Sequence, residues 1–382
     1  MKVLILGGDG YLGWPTAMHL SARGHAVAVV DNYLRRRLCQ EENVKPLFSV
    51  PSLNERASSW EANSGYKVRV YIGDLNEWDF VEEVFRDFTP EGIVHYAEQP
   101  AAPYSMLNRR AAGLTLHNNL GVTMNLICAV REFCPDAHIV KIGTMGEYGT
   151  PNIDIEEGWI EIEHKGRKDR FLYPRQASSL YHTTKIMDTD LLWLYVRIWG
   201  LRVTDLMQGP VYGLFTDESK ENEELLPFFN YDEIFGTVLN RFVVQAVANC
   251  PLTVYGKGGQ TRGYLNIRDT LNCVRLSLES PASEGELRIF NQFTEIFSVN
   301  ELAEKVQRVG NALGLNVQIQ PLENPRKEAE EHYYNPVHSG LLELGLQPNY
   351  LTDRVLEQMM QLVIKYKDSI KIDNIFRGVK WS

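Results

Sequence analysis

The run Gly7-Gly8-Asp9-Gly10-Tyr11-Leu12-Gly13 constrains this chain more than any other feature. It follows Val3 to Leu6, which reads as a strand. From Leu12 to Arg23 apolar residues then return at three- and four-residue intervals, the period of a helix. Glycines in such a strand-to-helix turn let the backbone pass close to a phosphate. The unpaired N–H groups and dipole of the helix start favour that anion. A glycine pattern alone is a weak signal, but the next strand, Val27 to Val30, ends on Asp31. A carboxylate there suits the ribose hydroxyls of an adenine dinucleotide and repels a 2′-phosphate, so the pair points to NAD rather than NADP. Gly7, Asp9, Gly10, Tyr11, Leu12, Gly13, Asp31 and Asn32 are the candidate cofactor contacts from this turn. The run Arg35-Arg36-Arg37 reads mostly as solvated surface, with Arg35 the member placed to reach the cofactor.

β-Branched runs at Val68 to Ile72, Gly92 to His95, His138 to Ile142 and Leu201 to Leu206 alternate with helical patterns at Asp79 to Asp87, Leu120 to Phe133 and Leu180 to Trp199. That alternation predicts an α/β fold, a Rossmann-like doubly wound parallel sheet. Gly73-Asp74-Leu75 ends the third strand, where Asp74 can accept from an adenine amino group or simply close a turn. After Gln208 the regularity stops. Leu214 to Tyr231, with its acids and prolines, suits an excursion over a surface. Helical patterns at Leu271 to Leu278, Val299 to Ala312 and Val355 to Tyr366, with strands near Leu252 to Tyr255 and Leu287 to Asn291, predict a smaller mixed α/β C-terminal lobe. The expected division is residues 1–208, with return segments from 237–270, and residues 209–382.

A formal charge of -10 opposes binding to nucleic acid or to an anionic membrane, so an anionic ligand needs local cations. No apolar run reaches the roughly 18 residues of a membrane span. Met1 to Ile5 enters a strand directly, and the expectation is a cytoplasmic protein. Five cysteines without a CxxC pair predict free thiols rather than a disulfide framework. Glu330-Glu331-His332 does not predict a metal site, because three adjacent residues do not converge on one ion.

Tyr181 and Lys185 are four apart on one helix and so share a face. A phenol is a poor base at neutral pH, and a nearby ammonium together with a cationic nicotinamide is expected to lower its pKa. Lys185 can also hold the nicotinamide ribose. Gly143-Thr144-Met145-Gly146-Glu147-Tyr148-Gly149 follows the fifth strand, where Thr144 would meet the same sugar oxygen as Tyr181.

Glycine motif, acidic strand end, Gly73-Asp74, Thr144 and YxxxK together resemble the extended short-chain dehydrogenase/reductases of the NAD-dependent epimerase/dehydratase family, over the whole chain. Gly7 to Trp14, Gly143 to Gly149, Thr237 to Arg241, Leu252 to Asp269 and Asn324 to Asn335 resemble the branch that joins sulfite to a sugar nucleotide. The resemblance implies NAD in the first lobe and UDP-glucose in the second. Carbon 4 is oxidised, the carbon-5 proton is removed, water leaves from carbon 6, and sulfite, free or carried by a donor protein, adds there. It implies catalytic roles for Thr144, Tyr181 and Lys185, with Glu147 at the carbon-5 proton and His182 at the leaving hydroxyl. Asp74, Leu75, Asn119 and Gln208 join the cofactor set. Thr144, Met145, Gln208, Tyr255, Gln260, Arg262 and Arg326 form the substrate set. It also implies a homodimer through helices at Leu114 to Phe133 and Leu180 to Trp199, where Trp193, Tyr195 and Trp199 serve as core or subunit contact. The chain departs at Pro100, where that branch has arginine, which removes a cation; Arg109 or Arg110 is the nearby candidate to replace it. A UDP-sugar 4-epimerase or dehydratase of the same fold therefore stays open. So does a non-catalytic NAD sensor, which would need the glycines but not Thr144, Tyr181 and Lys185 together.

Overall fold

A computed structural model describes residues 1–323 and 333–376. Seven strands form the main sheet: β1 Lys2–Leu6, β2 Ala26–Asp31, β3 Val68–Ile72, β4 Gly92–His95, β5 His138–Thr144, β6 Arg202–Gln208 and β7 Leu287–Gln292. They lie in the order β7-β6-β5-β4-β1-β2-β3, all parallel. The order reverses between β1 and β4, and ligands of open parallel sheets bind in the crevice at that reversal. Alternate residues of β1 enter opposite apolar layers. Leu4 and Leu6 pack with Val84, Phe85 and Leu126, and Val3 and Ile5 pack with Trp14, Met18 and Leu20. Burial on both faces explains why the strand reads as continuous apolar sequence.

One expected element changes lobe. The strand placed near Leu287 to Asn291 in the C-terminal lobe is β7, hydrogen-bonded to β6 with Leu287 opposite Val203. Leu287 and Ile289 bury beside Val203 and Met207. The preceding helix, Ile267–Glu279, lays Cys273, Val274 and Leu278 on the Val3 and Ile5 layer. A short apolar strand announces its own conformation but not its partner, so sequence order misplaced it.

The remaining C-terminal segments gather helices Val238–Val247, Val299–Ala312 and Asp353–Lys365 around a second apolar core. Two small sheets complete it. Leu252–Tyr255 pairs parallel with Ile319–Leu322, and Thr261–Asn266 runs between Glu295–Ser298 and Val211–Tyr212. The segment read as a surface excursion is partly wall. Phe229 and Tyr231 are fully buried, and Leu214 and Leu226 join the second core.

A hairpin of Trp159–His164 and Arg167–Leu172 was not anticipated from sequence. Its turn, Lys165-Gly166, takes positive φ at both residues, the conformation of tight two-residue hairpins. Charged side chains on both faces hid the strand alternation. Trp159 meets Trp193 edge-on with centroids 5.0 Å apart, and Tyr195 lies 4.1 Å from Trp199, so the aromatic stripe packs within the chain. Met187, Leu194 and Ile198 stay exposed on the same helix. Among the described residues no helix is long and apolar enough to cross a membrane.

Candidate active site

A cavity of about 380 Å³ opens at the strand-order reversal, walled by the glycine turn, the ends of β2, β5 and β6, and the start of helix Leu180–Trp199. Gly7 has φ +90°, and its N–H donates to the Val30 carbonyl at 2.8 Å. A Cβ on Gly13 would stand 2.0 Å from the Gly7 oxygen, whereas one on Gly10 would meet nothing closer than 3.5 Å. Gly13 therefore packs helix on turn, and Gly10 leaves the space a pyrophosphate needs. Helix Gly13–Ser21 has no side-chain cap, so its first N–H groups face that space, and the turn fits a dinucleotide.

Gly7, Gly10, Tyr11, Leu12, Gly13, Asp31, Asn32, Arg35, Asp74 and Leu75 all line the cavity. Asp31 accepts the N–H groups of Asp9 and Tyr33 at 2.8 and 2.7 Å. Burial, and the nearby Asp9 carboxylate, push its pKa up to about 6. Two expected contacts are elsewhere. Asp9 turns its carboxylate inward, where Arg36 grips it with two 2.7 Å bonds and Arg56 lies at 3.4 Å. Asn119 is buried behind the wall, accepting the Gln99 N–H at 2.8 Å and donating to Thr184 at 3.0 Å; its neighbour Asn118 faces the cavity. One residue along a helix rotates a side chain by about 100°, which explains the exchange. The arginine run is not mainly surface. Arg36 also donates to the Val50 and Pro51 carbonyls at 2.8 and 2.6 Å, Arg35 sits 4.4 Å over the Phe235 ring, and only Arg37 is exposed.

Thr144, Tyr181, His182 and Lys185 converge on the same cavity. Ser179 caps their helix by accepting the His182 N–H at 3.2 Å. In the chain by itself, burial, then the Glu98 and Glu147 carboxylates, hold the Tyr181 phenol above its ordinary pKa. Lys185 Nζ stands 6.0 Å from the Tyr181 ring centroid. It is engaged by Glu98 Oε1 and the Ile142 carbonyl, each at 2.5 Å. Sequence reading missed Glu98, although a carboxylate three residues beyond a central strand end was the available signal.

Glu147 is not on the cavity wall. It is fully buried, accepts the Thr144 N–H at 3.1 Å, and lies 3.5 Å from Lys141 and 3.2 Å from Arg175. Burial raises its pKa against the pull of both cations. Its placement behind Thr144 corrects the direct role at carbon 5. His182 does line the cavity, and its ring leans on Gly146, where a Cβ would fall 2.4 Å from Nε2. Met145, expected near substrate, is buried in the apolar core.

Gln208 lines the cavity and donates to Gln292 at 3.0 Å. Tyr255, Gln260 and Arg262 are off this wall. The Tyr255 hydroxyl donates to Glu233 at 2.5 Å, Gln260 to the Tyr255 carbonyl at 3.2 Å, and Arg262 to the Thr261 carbonyl at 2.8 Å. Arg326 and Glu330-Glu331-His332 lie outside the described residues. Pro100 is on the wall, but neither Arg109 nor Arg110 joins it; Arg110 pairs with Glu41 at 3.1 Å on the outer helix. Phe228, Phe229, Asn230, Phe235, Thr237 and Asn240 supply wall that sequence reading did not foresee. Their aromatic density was the overlooked signal.

The family model "NAD dependent epimerase/dehydratase family" matches residues 3–291. The chain is 49% identical over its full length to the chloroplastic UDP-sulfoquinovose synthase of Spinacia oleracea, covering 79% of that protein. It is 45% identical over 97% of its length to the UDP-sulfoquinovose synthase of Sulfolobus acidocaldarius, covering 94% of it. Among solved structures, the UDP-glucose 4-epimerase of Bifidobacterium longum, in complex with NAD+ and UDP, shares the fold at TM-score 0.72 and 20% identity, over 97% of this chain and all of that one. The chain belongs to the NAD dependent epimerase/dehydratase family and, within it, to the UDP-sulfoquinovose synthases.

Proposed function

We propose that this chain converts UDP-glucose and sulfite into UDP-sulfoquinovose and water. The observation that carries the reading is the convergence of Thr144, Tyr181, His182 and Lys185 on a cavity floored by a dinucleotide-type glycine turn, in a chain 45% and 49% identical to two such synthases. Gly7, Gly10 to Gly13, Asp31, Asp74 and Lys185 would hold NAD, which when bound would supply reversible hydride storage for carbon 4, so that the sugar undergoes no net oxidation. Tyr181 takes the carbon-4 hydroxyl proton while Thr144 holds that oxygen. The resulting ketone acidifies carbon 5. His182 is the wall group available to lift that proton and pass it to the departing carbon-6 hydroxyl, which leaves as water. Sulfite forms the new carbon–sulfur bond at carbon 6, carbon 5 takes a proton supplied by solvent or by bisulfite itself, and Tyr181 returns its own as the ketone is reduced. Glu147 acts from behind by fixing the Thr144 backbone.

The domain division that goes with this reading takes residues 1–208 together with 267–292 as the cofactor half, in place of the expected return segments from 237–270, because helix Val238–Val247 packs in the second core. The remaining C-terminal segments form the sugar-nucleotide half. A homodimer would cover the exposed Met187, Leu194 and Ile198 face. Pro100 favours a second reading, a 4-epimerase or dehydratase, because the wall lacks a cation at that point. Incubation of the purified chain with UDP-glucose, with and without sulfite, followed by mass spectrometry, separates the readings. A sulfonated sugar nucleotide formed only with sulfite supports the synthase. UDP-galactose formed without added reagent identifies an epimerase, and an accumulating unsaturated or deoxy ketone a dehydratase. Bound NAD without turnover leaves only a sensor.

A further inference from the structure

Behind the glycine turn lies an arginine that the proposed chemistry does not use. Arg36 stands in the first turn of helix Leu34–Glu41, five residues beyond Asp31. An arginine so close to the adenosine ribose could receive a 2′-phosphate, if its donors were available. They are already committed. Of the five N–H donors of a guanidinium, Arg36 places four. Nε and Nη2 clasp the two oxygens of Asp9 at 2.7 Å each, Nη1 donates to the Val50 carbonyl at 2.8 Å, and Nη2 to the Pro51 carbonyl at 2.6 Å. Asp9 is itself 1% exposed, with Oδ1 3.4 Å from the fully buried Arg56, and its N–H donates to Asp31 at 2.8 Å. The clasp thus ties the guanidinium to the residue bonded to the ribose carboxylate, yet draws it off the cavity wall, to which Arg36 does not belong. The flanking arginines are placed differently. Arg35 reaches the wall with its guanidinium 4.4 Å over the Phe235 ring, and the exposed Arg37 donates to the Asn32 carbonyl.

We propose that Asp9 determines cofactor specificity by holding Arg36: it denies a 2′-phosphate its counter-charge and so excludes NADP by a second device beside the Asp31 carboxylate. This rests on the reading of the glycine turn as the seat of the dinucleotide. The two devices act differently. Asp31 repels the phosphate, whereas Asp9 sequesters the cation that would attract it. Repulsion therefore disappears with Asp31 alone, but an attracting charge becomes available only when Asp9 releases Arg36. NAD carries a neutral 2′-hydroxyl at that point and gains nothing from the released cation.

The test is the ratio of the NADP to the NAD dissociation constant, each titrated calorimetrically into the full chain after removal of bound nucleotide. A variant that merely loosens the turn weakens both dinucleotides and leaves the ratio alone. Asp31→Ser lowers the ratio only by the repulsion it removes. Adding Asp9→Asn frees Arg36 and lowers it by a further factor of roughly ten to a hundred, the worth of charge-assisted hydrogen bonds from one guanidinium to a phosphate. Adding Arg36→Met to that pair returns the ratio to that of Asp31→Ser alone. Asp9→Asn also leaves Arg56 buried without its counter-charge, so the same series on an Arg56→Met background serves as the test if the double variant does not fold. A ratio no lower in the double variant than in Asp31→Ser overturns the proposal. So does a gain that survives Arg36→Met, which would be relief of repulsion alone. Failure of the underlying reading looks different: the native chain itself would bind neither dinucleotide, and the proposal would fall with it.

Discussion

The two halves of helix Leu180–Trp199 turn the same face inward and are built oppositely. In the first half Tyr181, Thr184, Lys185, Asp188 and Thr189 face inward; in the second, Leu192 and Val196 occupy the same face. The apolar half contributes by removing surface from water, whereas the polar half must satisfy every group it buries. Lys141 serves part of that need: its Nζ reaches Asp205 at 3.0 Å, Thr189 at 2.6 Å and the Lys185 carbonyl at 3.0 Å. Polar burial on this scale adds little stability and fixes geometry instead. The contrast therefore separates residues kept for chemistry from residues kept for folding.

Replacing Tyr181 with Phe gives the largest split between the two. Turnover should fall by roughly two to four orders of magnitude, the usual worth of a positioned proton carrier, with the urea midpoint within about 0.5 kcal/mol of native. A large loss of stability would mean that the phenol is holding the helix rather than serving the sugar. Lys141→Met comes next. It leaves Asp205 and Glu147 buried without their ammonium and should cost about 3–5 kcal/mol in urea unfolding. Leu192→Ala, at a fully buried site, should cost about 3 kcal/mol while kcat per folded molecule stays native. If Leu192→Ala also slows turnover selectively, the halves are coupled and the contrast fails.

How much of this was legible in sequence follows the same division. The sheet, the glycine turn, Asp31, Thr144, Tyr181 and Lys185 rest on periodicity and fixed spacing, and the structure brings them together at the cavity. Glu98, Lys141, Asp205 and Arg175 meet only because β4, β5, β6 and the loop before the helix converge, and a contact between distant segments leaves no local pattern. The same reason misplaced β7. Glu147 sits in a correctly recognised motif, yet spacing could not tell whether its side chain faces substrate or core.

Two buried histidines give a pH test. Burial pushes His95 down to about 4 and His138 down to about 3. The unfolded chain takes up these protons near 6.5. Their stabilising contribution is thus complete above that pH and is lost as pH falls toward 4. Each should remove about 2 kcal/mol at pH 5. Asp31 and Asp269, both raised to about 6, act with the opposite sign, because the folded chain binds their protons first. The informative quantity is therefore the difference between native chain and His138→Gln. His138 lies at the far end of β5 from Thr144, bonded to Thr204 at 2.9 Å. The variant should lose less stability between pH 7 and pH 5 than the native chain; an equal loss would show that His138 is protonated in the fold.

Ser179→Ala probes the boundary itself, with a small effect on stability. The hydroxyl accepts the His182 N–H at 3.2 Å, and its removal leaves one helix-start donor unpaired, a cost of about 1 kcal/mol. The first turn it secures carries Tyr181 and His182, while the apolar half is anchored ten residues away by Leu192 and Val196. Fraying should therefore stay local. Amide exchange should quicken at Tyr181 to Thr183 and remain native at Leu192 to Val196, and kcat should fall several-fold, more than the stability loss alone explains. Uniformly faster exchange along the helix would mean that its polar and apolar halves unfold as one unit, and that the packing beyond Leu192 holds the reacting groups in place.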